Sequence, residues 1–139
     1  MKQLKYLLLF WLLPISLLAN HIHWLGDYNT ALKLAQKGHK PLLVLLVKKD
    51  DNSSSKIIQN SFMNRVYIDE INKKIVSVIV TYEGKISYPI EMYYTTTFPT
   101  LFLVDTKTET FIKEPLYSEQ ISPKDLIQYF QPYLSKTNH

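Results

Sequence analysis

The amino-acid sequence predicts an α/β domain with a central mixed sheet flanked by helices. Three observations carry that expectation. Apolar runs rich in branched residues recur as LLVLLV (42–47), KIVSVIVTY (74–82) and TLFLVD (100–105). Segments of helical periodicity lie between and after them, which is the pattern of a layered α/β architecture. The third run passes through the polar turn TKTET into TFIKE, which predicts an antiparallel hairpin at one sheet edge.

Each element has its own local reason. DYNTALKLAQKG (27–38) places Ala31, Leu34 and Ala35 at helical spacing, with Leu32 broadening the face and Gly38 suited to the C-terminal cap. Pro41 opens LLVLLV, a continuous apolar run expected of a central strand covered on both faces. KIIQNSFMNRV (56–66) has helical spacing, and VYIDEIN (66–72) is expected to form a short turn of its own. KIVSVIVTY is the second strand, rich in β-branched residues. Gly84 and Pro89 break the segment 84–94, leaving room only for a short helix after Pro89. TLFLVD is the third strand. Ser122 and Pro123 supply an N-cap and a proline at the first helical position of a closing helix. That helix should bury Leu126, Ile127, Phe130 and Leu134 and end or kink at Pro132.

The first 19 residues read differently. MKQLK carries two lysines and no acid, a 14-residue apolar run follows, and Ala19 is small. This is the pattern of a signal peptide cleaved after Ala19, and the run is shorter than the roughly 20 residues needed to span a bilayer. Residues 20–139 would then form a single domain of formal charge +2, exported and without a stable transmembrane span. Its lysines are scattered rather than gathered into a stripe, so nucleic acid is not an expected partner. The chain has no cysteine, which excludes disulfides, thiolate metal ligands and thiol catalysis from it.

Phe98-Pro99-Thr100 stands directly before the third strand, where a proline starts a strand without breaking its ladder. Together with Trp24, ALKLAQKGHKPLLVLLV, KIVSVIVTY, FPTLFLVD and a terminal helix, it resembles the thioredoxin superfamily, in particular its exported bacterial members. The resemblance covers almost all of residues 24–134. It implies a three-layer fold, a cis peptide before Pro99, and a proline loop beside the active-site helix that helps bind extended polypeptide. It also implies a Cys-x-x-Cys motif where the first strand meets the next helix, at Asp51–Ser54 or Asn52–Ser55. No cysteine stands there, and Ser53, Ser54 and Ser55 contain no pair three positions apart. The resemblance to an oxidoreductase therefore stops short of its chemistry.

The candidate partner-binding residues are Asn52, Ser53, Ser54, Ser55 and Lys56 at the missing motif, Tyr93 and Tyr94 in a tyrosine-rich segment, and Phe98 and Pro99. Asn52 and the serines are also expected to cap a helix. The reading is a redox-inactive, thioredoxin-like periplasmic protein that binds an envelope polypeptide and needs no cofactor. One alternative is a copper site at His21 and His23, which a chain starting at His21 would give tetragonal nitrogen ligation. Another is a glutathione-binding enzyme using a serine hydroxyl at the helix start. Asp50-Asp51 and Asp69-Glu70 are adjacent in sequence and read as solvated charge rather than catalytic pairs.

Overall fold

A computed structural model describes residues 21–52, 65–82 and 88–134. The expected leader, Ser53–Lys56 and most of the helix expected from Lys56 lie outside the described residues.

The apolar run after Pro41 becomes β2 (Leu42–Lys48), the centre of a six-stranded sheet. It lies parallel to β3 (Val76–Tyr82), with Leu42 beside Val76 and Lys48 beside Tyr82. On its other side β4 (Thr100–Asp105) runs antiparallel, with Leu46 beside Thr100 and Leu42 beside Val104. Two elements of two residues each complete the edges. β1 (Trp24–Leu25) pairs in parallel with β3, and β5 (Thr110–Phe111) pairs antiparallel with the end of β4. β6 (Leu116–Tyr117) returns to the start of β4, so the predicted hairpin exists but its outer strand is broken in two.

Among the described residues three α-helices cover the sheet. α1 (Tyr28–Lys37) is capped by Asp27, whose carboxylate accepts from the Thr30 N–H at 2.9 Å and the Thr30 hydroxyl at 2.6 Å. At its other end the N–H groups of Gly38, His39 and Lys40 satisfy the carbonyls of Leu34, Gln36 and Ala35. Its buried face corrects the expectation: Tyr28, Ala31 and Ala35 face the sheet, whereas Leu34 is 48% exposed. α2 (Arg65–Lys74) corrects another, since the expected short turn is a ten-residue helix. Tyr67, Ile68 and Ile71 recur at three- and four-residue spacing and are fully buried, which is what makes the helix worth continuing. α3 (Pro123–Tyr129) starts at Ser122, whose hydroxyl accepts from the Asp125 N–H, and gives way to a 3₁₀ turn containing Pro132.

The strand period of two divides the core. Leu43, Leu45, Leu101 and Leu103 face α2 and α3, with Leu126, Tyr129 and Phe130 packed against them. Leu42, Val44, Leu46, Phe102 and Val104 face α1 and the segment around Tyr88 and Tyr93. Both faces of β2 and β4 are therefore dry, as their continuous apolar runs require. No described helix is long and apolar enough to cross a membrane.

Candidate functional site

Sheet register brings two chain segments together at one end of the domain. Because Leu46 pairs with Thr100, Pro99 lies beside the end of β2, where the chain turns into the segment expected to replace Cys-x-x-Cys. The Phe98–Pro99 peptide is cis. Pro99 and Thr100 are buried, while Phe98 is half-buried and its ring tilts against Tyr82 with centroids 5.0 Å apart. Tyr82 ends β3 and is 36% exposed, so this ring pair is a partly open apolar surface beside the proline.

Three threonines set the approach to Pro99. The Thr95 hydroxyl accepts from the Thr97 N–H at 3.1 Å and meets the Thr100 hydroxyl at 3.1 Å. The Thr100 hydroxyl donates to the Thr97 carbonyl, closing the loop on itself. Phe98 is left out of this network: neither its N–H nor its C=O makes a hydrogen bond among the described residues. An unpaired donor and acceptor beside an exposed ring form a short template for an added strand. Thr95 and Thr100 were not anticipated as site residues. Their signal is the polar run TTT before Phe98-Pro99-Thr100.

The other side of the site begins with a tight turn. Asp50 adopts φ 61°, a left-handed conformation that Asp tolerates better than most residues, and the Asp51 N–H reaches the Lys48 carbonyl at 3.3 Å. Asn52 is exposed. Ser53, Ser54, Ser55 and Lys56 fall outside the described residues, and with them the capping and glutathione readings.

Tyr93 requires a correction. It was expected to face a partner, but it is 1% exposed and sits inside the aromatic core. Its ring meets those of Phe102 at 5.1 Å and Tyr28 at 5.5 Å, and its hydroxyl shares a 2.9 Å hydrogen bond with that of Tyr28. Beyond Tyr28, α1 presents the small Ala31 and Ala35 here, and large rings fill the space left against the sheet. Burial drives the Tyr93 hydroxyl far above the ordinary tyrosine range, with the bond to Tyr28 adding to it. Tyr94 is 75% exposed and remains available at the surface.

His21 and His23 lie elsewhere. Asn72 accepts from the His23 N–H at 2.9 Å and donates to the His21 carbonyl at 2.8 Å, while Ile22 between them is buried. The amide that copper would need deprotonated is already engaged in this clamp. Among the described residues no group of three or more His, Asp or Glu converges on a metal position.

No family model matches the sequence. An uncharacterized protein of Borreliella burgdorferi is 28% identical over 117 residues, covering 81% of this chain. The chain spans about half (49%) of the length of that relative. Among solved structures, a DsbH oxidoreductase superposes with a TM-score of 0.62 at 17% identity, covering 82% of this chain and 85% of that one. A thioredoxin from Thermus thermophilus gives 0.63 at 14% identity over 80% and 85%. A disulphide isomerase from Xylella fastidiosa gives 0.54 at 15% identity over 75% and 86%. These likenesses show the fold.

Proposed function

We propose that this chain, which has a thioredoxin-like fold and no cysteine, is an exported binding module for an extended segment of an envelope polypeptide. The observation that carries this is the Phe98–Pro99 loop. Its threonine ties and the Phe98 backbone, unpaired among the described residues, stand at the end of β2 beside the junction that lacks thiols. An extended peptide would exchange hydrogen bonds with the Phe98 N–H and C=O and cover the rings of Phe98 and Tyr82. Backbone pairing would supply affinity, and the rings and Tyr94 would supply selectivity.

Without a thiol the encounter has no covalent stage. Nothing in the chain can attack a disulfide sulfur, so release depends on noncovalent contacts alone. A protein of this kind escorts, positions or assembles its partner in the periplasm rather than oxidising it.

The test is recovery of partners from envelope extract by wild type, Phe98→Asp and Tyr82→Ala proteins. A specific polypeptide held by the wild type and reduced at least about tenfold by Phe98→Asp, which places a charge beside the proline, supports the reading. Recovery unchanged by either substitution contradicts it. Circular dichroism of each variant confirms that the half-exposed substitutions leave the fold intact.

A further inference from the structure

A cavity of about 640 Å³ opens at the opposite end of the sheet from Pro99, lined by Gln36, His39, Lys40, Asp105, Lys107 and Tyr133 among others. β4 separates the two places by six residues, roughly 20 Å at strand spacing. The volume falls within the roughly 300–1,000 Å³ usual for small-molecule sites. Nothing in the reading of the proline loop uses it.

Its walls are tied together rather than merely adjacent. The buried Thr106 hydroxyl donates to the Lys40 carbonyl at 2.9 Å, and the Gln36 side chain donates to the Thr106 carbonyl at 3.3 Å. The Asp105 carboxylate accepts from the Lys107 N–H at 2.9 Å, fixing the turn after β4. The carbonyls ending α1 are already taken by the N–H groups of Gly38, His39 and Lys40, so the helix end adds few free acceptors. Pro41, Ile112 and Tyr133 form an apolar side, and Ile112 is 40% exposed with nothing over it among the described residues. Burial pushes the Tyr133 hydroxyl above its ordinary range, the Asp105 charge adding to the effect.

The charges select the ligand class. Lys40 and Lys107 form no ion pair among the described residues, and Asp105 supplies the one carboxylate among the lining residues. Two cations against one anion favour a single negative charge and disfavour a multiply charged phosphate. We propose that this cavity binds a small amphipathic monoanion, a carboxylate or sulfonate with an aromatic or branched apolar body. Its anionic group would be drawn to Lys40 and Lys107, and its body would cover Pro41, Ile112 and the Tyr133 ring.

The test uses 8-anilinonaphthalene-1-sulfonate as probe and the neutral N-phenyl-1-naphthylamine as its uncharged counterpart, with ¹⁵N amide shifts to locate binding. The expected result is saturable binding of one sulfonate per chain. Amide shifts should appear at Gln36, Thr106, Lys107 and Ile112, and the neutral compound should bind at least about tenfold more weakly. Lys107→Glu and Lys40→Glu should each weaken the sulfonate several-fold and together about tenfold, whereas Lys48→Glu at the far end of β2 should leave it within twofold. Equal binding of the neutral compound, shifts confined to Tyr82 and Phe98, or indifference to both lysine substitutions would each overturn the proposal.

Discussion

The two segments that meet beside the end of β2 differ in what they retain. The segment leaving β2 has charges, Asn52 and serines where thioredoxin-like proteins carry their thiols. The loop entering β4 has the cis proline, a self-tied run of threonines and, among the described residues, an unpaired backbone at Phe98. The contrast shows that the proline loop does not depend on the thiol motif. Its position comes from the pairing of β4 with β2 and from the contact of the Phe98 ring with Tyr82. The covalent half of such a site can therefore be absent while the proline loop, proposed to grip a peptide, stays formed.

The largest change expected is in chemistry. The wild-type chain should reduce no disulfide. Cysteine pairs restored as Asn52→Cys with Ser55→Cys, or Asp51→Cys with Ser54→Cys, should give measurable disulfide exchange in one of the two registers, through a thiol of pKa below the usual value of about 8.5. An insulin-reduction assay reads the outcome, and two inert pairs would show that the difference between the segments goes beyond missing thiols.

Tyr93→Ala should be next, costing about 3–5 kcal/mol in urea unfolding because it empties the aromatic centre between Tyr28 and Phe102. Tyr94→Ala, one residue on, should cost less than about 0.5 kcal/mol. Equal effects would contradict the separation of core ring from surface ring. Alkaline pH probes the same core. Burial raises the Tyr93 and Tyr129 hydroxyls above their ordinary value of 10.0, so the folded chain holds these protons to higher pH than the unfolded chain does. Their contribution is complete below pH 10 and is lost as pH rises beyond it. Absorbance of tyrosinate should therefore show a late fraction appearing together with loss of structure. The smallest effect is expected far from the site: Ser122→Ala should cost about 1 kcal/mol by removing the α3 cap, with peptide binding unchanged.

Much of this fold was legible in the sequence, because its strands are long apolar runs and two of its helices carry end signals, Gly38 after the first and Ser122 before the last. What escaped has physical reasons. β1 and β6 have two residues each and no period to detect; they exist through pairing with β3 and β4. α2 looked too short because Val66, Tyr67 and Ile68 favour strands, and its stability comes from tertiary burial of Tyr67, Ile68 and Ile71. At the site, Pro99 and Phe98 could be found from their place before TLFLVD. The burial of Tyr93 could not, since it follows from the small residues of α1 some sixty positions away. The threonine network and Tyr82 likewise depend on contacts that spacing does not encode.

An extended polypeptide is proposed to pair with the backbone at Phe98 without covalent capture. Amide hydrogen exchange of the complex with its recovered partner tests this most directly. The Phe98 N–H, which lacks a partner among the described residues, should exchange at least about tenfold more slowly when the partner is bound, and that protection should vanish in Phe98→Asp. A bound partner that leaves Phe98 exchange unchanged would contradict the account.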